Sequence, residues 1–273
     1  MTQPPGRTAP LKVGVQLWPQ HTTVHALRDA ARRIDAAGLD SLWTWDHFFP
    51  LSGEPDGPHF EGWTLLTALA CDTQHVTVGL LVAATGYRNP HLMADMARTL
   101  DHVSGGRAVL GLGAGWFQRD YDAYEYPFGT PGGRLHDLEG DLYRIRRRLP
   151  QLVPQPVGPL PILVGGGGEK VTLRIVARFA DLWNGYGPPE DFARRNAVLD
   201  DWCARLGRDP ATIERTCHIG VDEVDAVDDY LAAGAQHLIV RLEDPFPLEP
   251  VVAIRDRVRA HAAAGADGGA PLA

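Results

Sequence analysis

Residues 76–113 read VTVGLLVAATGYRNPHLMADMARTLDHVSGGRAVLGLG: an apolar run, an amphipathic stretch, then a second apolar run. The first run predicts a strand over Val76–Ala83. Asn89-Pro90 then opens a helix, asparagine suiting the cap and proline the first turn. The second run predicts a strand over Arg107–Leu112. One strand, one amphipathic helix and a second strand make a βαβ unit, and that period decides how the rest of the chain is read.

Upstream, strands are predicted over Val13–Leu17 and Ser41–Trp45. Helices follow them from about Thr23 to Ala37, stopped by Gly38, and from Gly62 to Asp72. Downstream, a glycine- and aromatic-rich loop leads to a helix over Arg134–Arg148 and a proline-rich connector. Strands are then predicted at Pro161–Val164, Asp181–Asn184, Arg215–Val221 and Gln236–Leu242. Helices are expected at Glu169–Phe179, Pro189–Leu206 and Asp222–Ala233, with a closing helix to about Ala264. Eight such units in 273 residues fit one α/β (β/α)8 TIM barrel, a fold of about 250 residues; an open doubly wound sheet is the alternative for the same pattern. The expected layout is a flexible tail at 1–10, one barrel domain at 11–264 and a flexible, small-residue tail at 265–273.

With 44% hydrophobic and 22% charged residues the chain has the composition of a globular protein. Its formal charge of −8 and lack of basic runs argue against a nucleic-acid partner, and they oblige any anionic ligand to find a local pocket of amides and cations. Cys71, Cys203 and Cys217 show no metal-ligand spacing, so no metal is expected and the thiols read as reduced. No stretch approaches the roughly 18 apolar residues of a membrane span. A cytoplasmic protein acting on a small-molecule substrate is the expectation.

In a barrel, chemistry belongs at the C-terminal ends of the strands. The second strand ends in Trp45-Asp46-His47, where an acid beside an imidazole can orient a tautomer and place a proton donor or base; a strand cap with a surface histidine is the plainer reading. The third ends in small residues that let a flat ring approach the backbone. The fourth ends in Gly111-Leu112-Gly113-Ala114-Gly115-Trp116. Beyond it Phe117, Tyr121, Tyr124 and Tyr126 either cover a planar ligand or form an aromatic minicore under the loop. The fifth runs through Gly165-Gly166-Gly167-Gly168 into a helix, which exposes backbone amides as a phosphate site, with Lys170 or Arg174 as a candidate charge; a purely structural turn is the alternative. Asn184 and Gly185, ending the sixth strand, lie next to that turn in a barrel. No GxGxxG fingerprint is present.

The segments VGVQLWPQ, AAGLDSLWTWDHFF, TVGLLVAATGYRNPHLMADMARTLDHVSGGRAVLGLGAGWFQRDYDAY, LPILVGGGGEKVTLRIVARFADLWN and AGAQHLIVRL resemble, in order, the luciferase-like monooxygenase superfamily, most closely its coenzyme F420-dependent oxidoreductases. The resemblance implies hydride transfer between a deazaflavin and a small organic substrate. The alternatives are an FMN-dependent monooxygenase and a non-catalytic flavin-binding barrel. It also implies catalytic His47 and Asp46, the latter contacting the cofactor as well. A non-proline cis bulge within Leu80, Leu81, Val82 and Ala83 would back the ring. Gly113, Gly166, Gly167, Gly168, Asn184 and Gly185 complete the cofactor site, and Trp18, Trp45 and Trp116 wall the substrate pocket. A homodimer is a further expectation. Trp116 stands where the related sugar-phosphate dehydrogenases carry an acid, which argues against that activity. The compact connector from Leu149 to Pro161 argues against light-emitting aldehyde chemistry.

Overall fold

The computed structural model describes residues 11–267. Among them, nine parallel strands are β1 (Lys12–Leu17), β2 (Ser41–Thr44), β3 (Thr77–Leu80), β4 (Ala83–Ala84), β5 (Ala108–Gly113), β6 (Ile162–Gly165), β7 (Leu182–Tyr186), β8 (Glu214–Ile219) and β9 (His237–Leu242). They close a ring. β1 pairs with β9 from Lys12↔His237 to Leu17↔Leu242, and β3 pairs with β5 at Val78↔Ala108 and Gly79↔Val109. β4 is the upper piece of the third stave, so the barrel has eight staves and the open sheet is excluded.

The alternation along the strands explains the closure. Val13, Val15 and Leu17, Leu42, Val78 and Leu80, Leu110 and Leu112, Ile162 and Val164, and Leu238, Val240 and Leu242 face outward into one apolar shell beneath the helices. Trp43, Leu81, Val109, Leu163, Leu182 and Ile239 face the lumen and fill it. Trp43 fits because Gly79 faces it: a Cβ there would come within 2.5 Å of the indole.

Helices α1 (Val24–Ala36), α2 (Gly62–Cys71), α3 (Pro90–Ser104), α4 (Gln118–Ala123), α5 (Pro131–Arg148), α6 (Thr172–Phe179), α7 (Pro189–Leu206), α8 (Val227–Ala232) and α9 (Glu249–Asp267) lie around the ring. The Asn89 side chain accepts from the amides of His91 and Leu92 to start α3, with Pro90 at its first turn, and left-handed Gly105 stops it.

Several boundaries differ from the sequence expectation. The third strand is interrupted after Leu80: the Leu81–Val82 peptide is cis, and the chain bulges before pairing again at Ala83. α6 begins at Thr172 rather than Glu169: the glycines lead into a turn through Val171, which leaves them outside the helix. The expected helix over Asp222–Ala233 begins as a 3-10 segment, Val221–Ala226, before α8. α4 arises inside the stretch read as loop. α9 continues through 265–267; the other residues assigned to the tails, 1–10 and 268–273, lie outside the described residues. No helix among the described residues is long and apolar enough to cross a membrane.

The N-terminal end of the lumen is sealed by a polar chain. Trp43 Nε1 donates to Ser41 Oγ (2.7 Å), which meets His237 Nε2 (2.8 Å), while His237 Nδ1 and Lys12 Nζ bind the two oxygens of Glu214 at 2.9 and 2.8 Å. Burial pushes the Glu214 carboxyl up, but the bonds from His237 and Lys12 outweigh it and hold the group down at about 2. The charged form therefore contributes stability above its ordinary value of 4.5, and that contribution is lost as pH falls toward 2. Glu214→Gln is expected to cost about 2 kcal/mol at pH 7 and much less at pH 3, in denaturant unfolding at both pH values. A deficit of equal size at pH 3 would contradict this arrangement.

Candidate active site at the barrel mouth

The opposite end of the barrel opens into a cavity of about 620 Å³, within the range of about 300–1,000 Å³ usual for small-molecule sites. Its floor is the bulge. Gln16, projecting from β1, donates through Nε2 to the Leu81 carbonyl (2.7 Å) and accepts from Trp18 Nε1 (3.1 Å), so one side chain ties the bulge to the first tryptophan wall. The Val82 side chain lies against Gly113 and Gly165: a Cβ at either would come within 2.6 or 3.0 Å of its methyl groups. Val82 thus presents a small apolar platform, and the two glycines keep its flanks low.

Leu81, Val82, Gly113, Gly166, Gly167, Gly168 and Asn184 line the cavity, as do Trp18, Trp45, Trp116 and His47. Leu80 and Ala83 instead pack into the outer shell. Gly185 also faces outward, where a Cβ would meet Phe192 and Trp183 at 2.9 Å. These three residues are not cavity contacts. The alternation of strand side chains turns them away.

Asp46 and His47 diverge for the same reason. Asp46 is buried away from the cavity, where Oδ2 accepts from Arg88 (2.6 Å) and from the Ala84 amide (3.2 Å); Arg88 also binds Glu61 (2.9 Å), the cap of α2. Burial raises the Asp46 carboxyl to about 6 against the opposing pull of Arg88. Asp46 therefore braces the end of β2 against the third stave and makes no bond to His47. The acid that does so is Asp120 of α4. Its Oδ2 binds His47 Nδ1 at 2.7 Å and accepts from the Tyr87 hydroxyl at 2.8 Å, and its Oδ1 accepts from the Phe48 amide at 3.0 Å. Asp120 is fully buried, and burial together with that carboxylate raises the Tyr87 phenol, keeping it a donor. With Nδ1 fixed, Nε2 is the ring nitrogen of His47 left for a ligand.

Aromatic contacts hold the walls. Trp18 and Trp45 lie 4.7 Å apart, and His47 stands edge-on to Trp45, Trp116 and Phe117 at 5.6 Å each. Trp45 Nε1 donates to His59 Nε2 (2.8 Å), an acceptor because burial, then the neighbouring His47, lowers that imidazole to about 4. Trp116 is 62% exposed, the open side of the pocket. Tyr87 and Tyr121, with Phe48, Tyr126 and Phe128 packed on them, form the minicore beneath the loop rather than a ligand cover.

The glycine turn keeps part of its expected character. The Gly166 amide is engaged by the Asn184 carbonyl (3.1 Å), whereas those of Gly167 and Gly168 have no protein partner among the described residues. Thr216 donates to Asn184 Oδ1 (2.8 Å), which leaves the Asn184 amide nitrogen toward the cavity. Arg174 is held away by a two-pronged pair with Glu139 (2.9 and 2.8 Å). The cation at the turn is instead Arg195 of α7. It packs 3.0–3.2 Å from a Cβ placed on Gly167, its buried Nε is unpartnered, and Nη1 donates to the Tyr186 carbonyl (2.6 Å). No cluster of three or more His, Cys, Asp or Glu side chains suited to a metal occurs among the described residues.

Sequence reasoning missed Gln16, Asp120, Arg195 and His218. Gln16 and His218 sit near the ends of inward-facing strands and were discoverable by that rule. Asp120 and Arg195 reach the site across 73 and 28 residues from helices, with no local signal.

Known proteins resemble this chain in sequence and in fold. The F420-dependent glucose-6-phosphate dehydrogenase of Amycolatopsis mediterranei is 29% identical over 191 residues, covering 62% of this chain and 54% of that one. An F420-dependent secondary alcohol dehydrogenase in complex with an F420–acetone adduct superposes with a TM-score of 0.80 at 14% identity, covering 91% of this chain and 98% of that one. The oxygenating constituent of a type II Baeyer–Villiger monooxygenase from Pseudomonas putida, in complex with FMN, superposes at 0.71 with 13% identity and covers 91% and 98%. The model of the luciferase-like monooxygenase family matches residues 7–266, so the chain belongs to that family of oxidoreductases and monooxygenases.

Proposed function

We propose that the protein is a coenzyme F420-dependent oxidoreductase that oxidises a small alcohol to a carbonyl compound, or runs the reverse reaction. The observation that carries this reading is the single cavity that brings together an apolar platform at Val82, an imidazole fixed by a buried carboxylate, and a glycine turn with unpartnered amides beside Arg195. The likeness to F420-dependent proteins in both sequence and fold supports the choice of cofactor.

The residues present fit the cofactor. Gly167 and Gly168 supply amides for a phosphate, and a Cβ at Gly168 would lie 2.7 Å from Thr172 Oγ1 and crowd the turn. Arg195 supplies positive charge that the net charge of −8 does not. Val82, with low glycines on either side, accepts a flat ring. When bound, a deazaflavin supplies a carbon-centred acceptor for two electrons and one proton, moved together as hydride.

The protein's part is positioning and the second proton. As the alcohol carbon gives up its hydride, the hydroxyl proton passes to His47 Nε2, and the C–O bond becomes C=O. Asp120 holds Nδ1–H toward itself and stabilises the positive charge that His47 gains. In the reverse direction His47 returns that proton to the oxygen. Trp18, Trp45 and Trp116 line the approach to the reacting carbon and favour apolar substituents.

Two variants test the assignment. His47→Ala is expected to lower kcat for a panel of small secondary alcohols by about 10²-fold or more, with the F420 Kd within about threefold of wild type. Wild-type turnover in that variant would remove His47 from the mechanism. Asp120→Asn keeps the bond geometry but not the charge, and is expected to lower kcat by roughly tenfold or more. An unchanged kcat and pH profile would reduce Asp120 to a packing role. Fluorescence titration of the cofactor-free protein decides between cofactors: F420 is expected to bind in the micromolar range or tighter, whereas tight FMN binding with no F420 response would replace this reading by an FMN-dependent monooxygenase.

A further inference from the structure

His218, next to last in β8, lines the cavity floor and takes no part in the roles described above. Its Nε2 is enclosed and has no hydrogen-bond partner among the described residues. Buried polar atoms almost always find a partner, and the imidazole that carries this one borders the cavity. The neighbouring strands provide none: Tyr186 of β7 and Ile239 of β9 are its register partners, and Arg241 of β9 contributes a positive field. Burial, then that field, holds the imidazole down at about 4, so at neutral pH it is an uncharged group with one donor and one acceptor nitrogen.

The cavity thus divides its polar work. The turn at Gly167–Gly168 with Arg195 suits an anion, whereas a neutral imidazole suits an uncharged group that offers both C=O and N–H. The redox ring of a deazaflavin or flavin carries such a group, a cyclic imide. We propose that His218 is a specificity-determining residue whose imidazole forms a hydrogen bond with the imide edge of the bound redox ring. This rests on the cofactor reading above and adds to it the ring contact that the glycine turn does not supply. Asn184, on the adjacent strand with its amide nitrogen toward the same cavity, is placed to share that edge.

The test is fluorescence titration of wild type, His218→Phe and His218→Gln with two probes: F420, and its deazaflavin chromophore lacking the phosphate. His218→Phe is expected to weaken both by about tenfold or more, and His218→Gln, which keeps a hydrogen-bonding end, by about threefold or less. The ratio of the two Kd values is expected to stay constant across the variants, because the phosphate contacts are untouched. If wild type binds and His218→Phe binds both probes equally well, the imide contact is overturned while the cofactor reading stands. If wild type binds neither F420 nor its chromophore, the cofactor reading falls and the contact with it. Melting curves identify an unfolded variant, and the glutamine variant then carries the test: its retained affinity supports the contact, and a loss as large as that expected for phenylalanine overturns it.

Discussion

The lodging of Val82 between Gly113 and Gly165 governs what the barrel mouth can hold. A side chain on either glycine would meet the valine methyls, and Gln16 holds the adjoining Leu81 carbonyl from the far side of the strand. The third stave is thereby divided into β3 and β4, and an apolar knob stands in the lumen where a continuous strand would have left a regular surface. Beneath it, the lumen is packed by Trp43, Leu81, Val109, Leu163, Leu182 and Ile239, so the cavity ends at this top layer and does not run on into the barrel.

Around this platform the charges are sorted by burial. Asp46, Arg88 and Glu61 form a brace outside the cavity. Asp120 forms a second centre that fixes His47 and Tyr87. Both use carboxylates from which water is excluded, yet they serve different ends: one fastens strand to helix, the other fixes an imidazole that lines the cavity. The overall negative charge leaves Arg195 as the cation that packs against the glycine turn, held by a bond to the Tyr186 carbonyl and by an ion pair with Asp191 at 3.8 Å.

Much of the fold was legible because barrel staves have strong local signals: apolar alternation, Asn89-Pro90 at a helix start, Gly38 at a helix end. The break at Leu81–Val82 was foreshadowed only by family resemblance. Nothing in a run of apolar residues tells a straight strand from a bulged one. The cavity lining was legible where it lay at a strand end, as for His47 and Gly167. It failed where direction mattered, because period-2 alternation sends Asp46, Leu80, Ala83 and Gly185 away from the cavity although they neighbour residues that line it. It failed also for Asp120 and Arg195, whose positions depend on long-range packing of a short helix and of α7. The aromatic residues after β5 were ambiguous in sequence, and packing resolved them: Trp116 faces the cavity, while Tyr121 and Tyr126 form the layer that buries Asp120.

A crystal structure of the F420 complex measures the central claim most directly. The account predicts the ring in van der Waals contact with Val82, its phosphate on the Gly167 and Gly168 amides beside Arg195, and His47 Nε2 facing the substrate side. A phosphate bound elsewhere, or a ring that leaves Val82 exposed to solvent, would contradict it.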